Sequence, residues 1–411
     1  MLSLSMIVRD EAERLERCLR SVMGFVDEMV LLDTGSVDDT VAIATRCGAV
    51  VHHIPWPGDF APARNEALHH VQGDWVLVLD ADEVLRPEAH APLQQLMAQQ
   101  DLLLINLLRL ELGANQSPYS NVSRLFRRHP GLSWSGIYHA MVDDSVAALL
   151  EREPHWRLAD CPVPALLHEG YRPELLLRGN KAQRLRQAME DELQARPGDP
   201  YACAKLGSLD VSEGHRERGL ALLLQGLAAC PPAAHPERYE LLLHLGIAHG
   251  LNESDQAEQY YRAALAVPLN PRLSLAAQLN LAALLLERGG TGAESGPALA
   301  EAAALAEAAT LAIAATSAAP ELPQGWNSLG LIERRRGRIG AAIEAYRRSL
   351  ALQANQPNTE QNLAVALLLG GDINGARVGF SRAISLLEGQ GRQVEARALR
   401  QQAGSMVKLE A

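Results

Sequence analysis

The stretch "DWVLVLDADE" (74–83) holds the residues with the most chemistry to offer, Asp80, Asp82 and Glu83. Trp75 to Leu79 are all apolar or aromatic and read as a strand buried on both faces; the run then stops in three carboxylates within four residues. Like charges this close repel, and Asp80-x-Asp82 at a strand end suits a hard divalent cation, which takes carboxylate oxygens while leaving positions open for phosphates. On that reading the repulsion is relieved only when the ion binds, and Glu83 starts the next loop or contacts a sugar. The plain alternative is a solvated loop in which Asp82 caps the segment near Pro87. The stretch "LLDTGSVDDT" (31–40) weighs for the ion, because Asp33 ends a second buried strand, where a carboxylate can accept hydrogen bonds from a nucleobase or ribose. Ser36 with Asp39 reads as a capping box, which leaves Asp33 without a structural task.

Positioning these groups falls to repeated strand–helix units. "SLSMIV" is followed by helical "AERLERCLRSVM", "EMVLLD" by "DDTVAIATRCG", "AVVHHI" by "APARNEALHHVQG", and then comes "WVLVLD". Such units imply a parallel sheet with right-handed crossovers, and ligands sit beyond the C-terminal ends of its strands. Arg9, Asp10 and Glu11, Asp33, Trp56 and Asp80 should therefore share one cleft edge. The first turn, "VRDEAE", has no glycine, which excludes a dinucleotide fold, and no P-loop pattern is present. Farther on, "PALLHEGY" reads as a short strand from Ala165 to His168, so Glu169 emerges at a strand end. Asp143 and Asp144 in "HAMVDDSV" suit the start of a loop or helix.

After residue 196 the pattern is helical only. Laying "LGLIERRRGRIGAAIEAYRRSL" (329–350) on "LAVALLLGGDINGARVGFSRAI" (363–384) matches Leu329 with Leu363, Gly337 with Gly371, Ala342 with Ala376 and Tyr346 with Phe380 at a shift of 34 residues. With Trp326, Leu329, Gly330, Ala342 and Tyr346 this resembles the tetratricopeptide repeat, and looser copies precede it. The expected domains are 1–195, 196–390 for the repeats, and 391–411 for a capping helix and tail. A net charge of -11 argues against nucleic acid or an anionic membrane surface as partner. No run is long and leucine-rich enough to span a membrane, "MLSLSMIVRDE" reads as a first strand rather than a leader, and five scattered cysteines without C-x-x-C fit a reducing cytoplasm.

"SLSMIVRDE", "DEMVLLDTGSVDDT", "WPGDFAPARNEAL" and "GDWVLVLDADEVL", in this order and spacing, resemble the family 2 glycosyltransferases of the GT-A fold. The likeness continues through "RLFRRHPGLSWSGIYHA" (124–140) and "HEGYRPE" (168–174), and is greatest to the bacterial branch that joins this domain to tetratricopeptide repeats and includes peptide S-glycosyltransferases. It implies an α/β GT-A domain with a Rossmann-like, mostly parallel sheet, followed by an all-α repeat domain. It further implies Mn2+ or Mg2+ held by Asp80 and Asp82 against the diphosphate of a nucleotide sugar, most readily a UDP-sugar, with Asp33 and Arg64 contacting the nucleotide. Asp10, Glu11, Asp59, Asn65 and Asp80 complete the candidate donor site. His139 and His168 lie at family motifs and read either as metal ligands or acceptor contacts, or as ordinary packed histidines; Trp134 and Tyr171 are divided in the same way between core and sugar platform.

The expected function is inverting transfer from a nucleotide sugar to a protein, peptide or glycan, with the repeats binding acceptor or partner. Such a transfer needs a carboxylate to take the acceptor's proton. Where the branch usually has His-Glu this chain has His139-Ala140, which leaves Glu169, Asp143 and Asp144 as candidates for that base. Glu169 is placed nearest the acceptor by its strand end, although an ion pair with Lys181 or Arg184 would also account for it. The rival reading is a non-catalytic nucleotide-sugar-binding scaffold acting through its repeats.

Overall fold

The computed structural model describes residues 1–114, 117–136, 140–169, 181–250, 252–288 and 298–407. The chain divides into two compact units, Met1–Leu209 and Asp210–Ala411. In the first, β1 (Leu2–Val8), β2 (Glu28–Asp33), β3 (Val50–His53) and β4 (Trp75–Val78) are parallel and alternate with α1 (Leu15–Val22), α2 (Thr40–Arg46) and α3 (Phe60–His70). This is the expected strand–helix series. It continues as β5 (Glu83–Leu85), α4 (His90–Met97), β6 (Leu102–Glu111), β7 (Tyr119–Arg127), α5 (Asp143–Arg152), β8 (Arg157–His168) and α6 (Lys181–Ala195). The eight strands form one sheet in the order β3-β2-β1-β4-β7-β6-β8-β5, with β7 antiparallel to β4 and β6, and β5 antiparallel to β8. The sheet is thus parallel on one side and mixed on the other.

Both faces are covered. Leu2, Leu4 and Met6 of β1 pack with Leu15, Cys18 and Leu19 of α1 in one core cluster, while Val76 and Val78 of β4 pack with Phe126 and Trp134 in another. All four parallel strands therefore point their C-terminal ends at one edge, and β4 delivers Asp80 and Asp82 there.

The second unit begins within the last turn of α7 (Pro200–Ser212) and is helical: α8 (Arg216–Ala229), α9 (His235–His249), α10 (Ser254–Leu265), α11 (Leu275–Arg288), α12 (Ala298–Ala318), α13 (Pro323–Arg335), α14 (Ile339–Leu352), α15 (Pro357–Leu369), α16 (Ile373–Gly389) and α17 (Gln393–Met406). Each helix packs on the next within the pairs α9–α10, α11–α12, α13–α14 and α15–α16. The repeat reading is carried by two glycines: a Cβ at Gly246 would stand 2.5 Å from the ring of Tyr261, and one at Gly330 2.5 Å from the ring of Tyr346. Both rings are buried, so only glycine lets the paired helices approach this closely. Among the described residues no helix is long and apolar enough to cross a membrane.

Candidate active site

The turns after β1 and β2 are stitched together. Asp10, the one described residue other than glycine with positive φ (53°), accepts from Val37 N (2.8 Å) and donates its own N–H to Ser36 Oγ (3.0 Å). Glu11 N donates to Thr40 Oγ1 (2.7 Å) and Ala12 N to Asp38 Oδ2 (3.0 Å). The capping box expected from Ser36 and Asp39 does not form. Helix α2 starts only at Thr40, Asp39 makes no capping bond, and Ser36 turns instead to Asp33. Asp33 is buried and accepts from Gly35 N (3.1 Å), Ser36 N (3.2 Å) and Ser36 Oγ, with His53 Nδ1 at 3.4 Å. Burial pushes its pKa up, but these bonds outweigh burial and hold it below the ordinary value. It therefore does have a structural task, which the sequence reading did not give it.

Asp80 does not wait for a cation. Arg64 Nη2 on α3 donates to its Oδ1 (2.7 Å) and Arg124 Nη2 on β7 to its Oδ2 (2.8 Å). Against the cost of burial, Arg124 and then Arg64 hold its pKa well below the ordinary carboxylate range. Glu83 is fully buried and heads β5 rather than opening a loop. It pairs with Arg109 Nη1 (2.6 Å) and Arg124 Nη1 (3.4 Å) and accepts from Asp80 N (2.9 Å). Asp82 faces His168 Nε2 (3.4 Å) and Arg14 Nη1 (3.5 Å), and Arg14 also binds Glu11 (2.6 Å). His168 Nδ1 meets Glu111, whose carboxylate also takes Arg109 Nε (2.8 Å) and the Ser120 hydroxyl. Asp80 and Asp82 are thereby joined through Arg124, Glu83, Arg109, Glu111 and His168, a chain of alternating charge. Five carboxylates (Glu11, Asp80, Asp82, Glu83, Glu111) face four guanidiniums (Arg14, Arg64, Arg109, Arg124), and a protonated His168 makes the set neutral. The expectation that repulsion is relieved only by a bound ion is overturned by these partners.

Burial alone would lower the pKa of His168, but its hydrogen bonds to Asp82 and Glu111 push it up to about 9. Burial likewise opposes the shift of Glu111, which His168 and Arg109 bring down to about 2. The histidine's contribution to stability is complete below its ordinary value of 6.5 and is lost as pH rises through about 9. The carboxylate's is complete above its ordinary 4.5 and is lost as pH falls through about 2. Urea unfolding should therefore show resistance declining from pH 6.5 to 9 in the wild type. His168→Gln should flatten that decline, and an equal decline in both proteins would remove His168 as its source.

The other expected site residues divide. Asp59 caps α3 by accepting from Ala61 N (3.2 Å). Asn65 is used on Trp134, accepting from its N–H (2.8 Å) and donating to its carbonyl (3.0 Å). Trp134 is buried core, with the Arg64 guanidinium 4.8 Å above its ring. Arg64 Nη1 is buried and has no hydrogen-bond partner among the described residues. Asp143 and Asp144 open α5 and accept from Ser123 Oγ (2.9 Å) and Ser135 Oγ (2.8 Å), and burial raises the pKa of Asp143. Glu169 lies at the end of β8 and donates its N–H to Asp82 O (3.3 Å). Arg17 of α1 grips both its oxygens, at 2.9 and 2.7 Å, and the side chains of Lys181 and Arg184, the partners expected from sequence, lie outside the described ones. His139 and Tyr171 lie outside the described residues.

Sequence reasoning missed Arg14, Arg17, Arg109, Glu111 and Arg124. The signal available was Arg109 and Glu111 two apart in "LLLINLLRLE", where Asn106 is the one other polar residue, a spacing that puts both on one face of a strand. As a holder of a divalent ion the site fits best at Asp82 and His168, where a carboxylate oxygen faces Nε2 of a histidine that would have to release its Nε2 proton to ligate the ion. Both oxygens of Asp80 are already engaged by arginines.

Residues 3–158 match the family described as Glycosyl transferase family 2. A TPR repeat-containing protein of Synechococcus elongatus is 42% identical over 390 residues, covering 95% of this chain and 93% of its own. An uncharacterized glycosyltransferase of Rickettsia felis is 32% identical over 154 residues, 35% of this chain and 54% of that one. The glycosyltransferase SunS of Bacillus subtilis is 24% identical over 204 residues, 48% of this chain and 46% of that one. The family match thus lies in the first unit, and the cyanobacterial protein aligns along nearly the whole chain.

Proposed function

Because the chain belongs to the family 2 glycosyltransferases, in a form extended by tetratricopeptide repeats, we propose that it transfers a sugar from a nucleoside diphosphate donor, a UDP-sugar, with inversion and with the help of Mn2+ or Mg2+. The observation that carries this is the pairing of Asp82 Oδ2, in the turn after β4, with His168 Nε2, while Arg64 and Arg124 are both held on the neighbouring Asp80. A divalent ion bound there supplies Lewis-acid stabilisation of the departing diphosphate. Asp80 fixes the two guanidiniums, and the spare Nη1 of Arg64 remains to meet base or phosphate oxygen. Asp33, with the turn after β1 that holds Asp10 and Glu11, forms the nucleoside end of the cleft.

Glu169, next to Asp82 through the backbone, takes the acceptor's proton, while Asp143 and Asp144 serve the start of α5. The acceptor is a protein, peptide or glycan, and the stacked helix pairs give the extended surface that binds it or a partner. Five free cysteines suit a reducing cytoplasm as the setting. Calorimetry of UDP tests the metal-bridged donor site. Binding in Mn2+ should weaken about tenfold or more in EDTA, since removing the ion takes away the charge that Asp82 and His168 would present to the diphosphate. Equal affinity in both buffers would remove the metal from the reading.

A further inference from the structure

We propose that Glu111 is a positioning residue that fixes the His168 ring so that Nε2 faces Asp82; the inference rests on the metal-site reading above. The placement is built by strand register. Along β6 and β8 the partners run Leu108↔Pro164, then Arg109↔Leu166, Leu110↔Leu167 and Glu111↔His168, so β8 carries one extra residue, Ala165, at the irregularity. Without that bulge the register would place Leu167 opposite Glu111, and a one-residue slip turns a side chain to the other face of the sheet. Across β5, β8 and β6, the residues Glu83, His168 and Glu111 stand in one row.

The carboxylate is itself held from behind. Glu111 is buried; Arg109 Nε donates to it at 2.8 Å, and the Ser120 hydroxyl, on the residue paired with Arg109 across β6 and β7, donates as well. The oxygen left over meets His168 Nδ1, so that nitrogen carries a proton and Nε2 is the one turned to Asp82. Carboxylates in this position behind a ligating histidine orient the ring and raise its basicity, and their loss costs roughly 10–100-fold in metal affinity.

The test measures Mn2+ binding to the full chain in the presence of UDP, by the loss of the free-ion spin-resonance signal. Glu111→Gln removes the charge at constant shape. Glu111→Asp keeps a charge for Arg109 but withdraws it from His168, and is the variant to read should the first not fold. Both should weaken Mn2+ binding by roughly 10–100-fold, with UDP binding in EDTA unchanged. Wild-type affinity in Glu111→Asp would show that only charge is needed and overturn the positioning role, as would wild-type affinity in Glu111→Gln. A wild type that takes up no Mn2+ overturns the metal site and this inference together, which separates that failure from the other two.

Discussion

Asp82→Asn should lower the rate of sugar transfer on the order of 10²–10³-fold and leave the folded state nearly as stable as before. The two halves of that expectation have separate causes. Asp82 sits in the turn between β4 and β5 with its side chain 21% exposed, and its partners, His168 at 3.4 Å and Arg14 at 3.5 Å, are at the long end of ion-pair distance. An amide in its place can still accept a hydrogen bond from His168, and Glu111 remains as that ring's charged partner, so the cost should stay at about 1 kcal/mol. What the amide cannot supply is the negative charge that a cation and a departing diphosphate require at that point. Transfer assays with labelled donor, read beside urea unfolding, give both quantities. Activity within about threefold of wild type would remove Asp82 from the donor site. Asp80→Asn should behave differently, because it leaves the buried Arg64 and Arg124 short of a countercharge and so disturbs fold and activity together.

The difference between the two aspartates shows where sequence reasoning runs out. The strand–helix alternation through β4 was legible because each element is local, and it brought Asp33 and Asp80 to one edge without any knowledge of side-chain contacts. Gly330, Tyr346 and their counterparts were legible because a repeat states its packing several times over. Most of the ion pairs were not legible, since they join residues far apart in the chain: Arg17 reaches Glu169 across 152 positions and Arg124 reaches Asp80 across 44. Nor does composition reveal a bulge at Ala165, on which the partner of His168 depends. The capping box failed for a related reason. Ser36 had a stronger local partner in Asp33, and Asp38 rather than Asp39 accepts from Thr40 N (2.9 Å).

Glu83→Gln should be the most destabilising single change near the site, at about 3–5 kcal/mol. Glu83 is fully buried, and its two oxygens take Arg109 Nη1 at 2.6 Å, Arg124 Nη1 at 3.4 Å and the N–H of Asp80 at 2.9 Å. An amide keeps the shape and one acceptor but brings an N–H toward a guanidinium, and it leaves Arg109 and Arg124 with one carboxylate fewer between them. Those two side chains are only 17% and 13% exposed, so water cannot replace the lost charge without loosening the β7-β6-β8-β5 side of the sheet. Glu88, whose side chain is 63% exposed beside Arg86, is the control: its replacement by Gln should cost less than about 0.5 kcal/mol. Urea unfolding of both variants at pH 7 decides the matter. A loss below about 1 kcal/mol in Glu83→Gln would mean that Glu111 and Asp80 alone balance the two arginines, and the alternating chain that joins Asp80 to Asp82 would then be a set of independent contacts rather than one network.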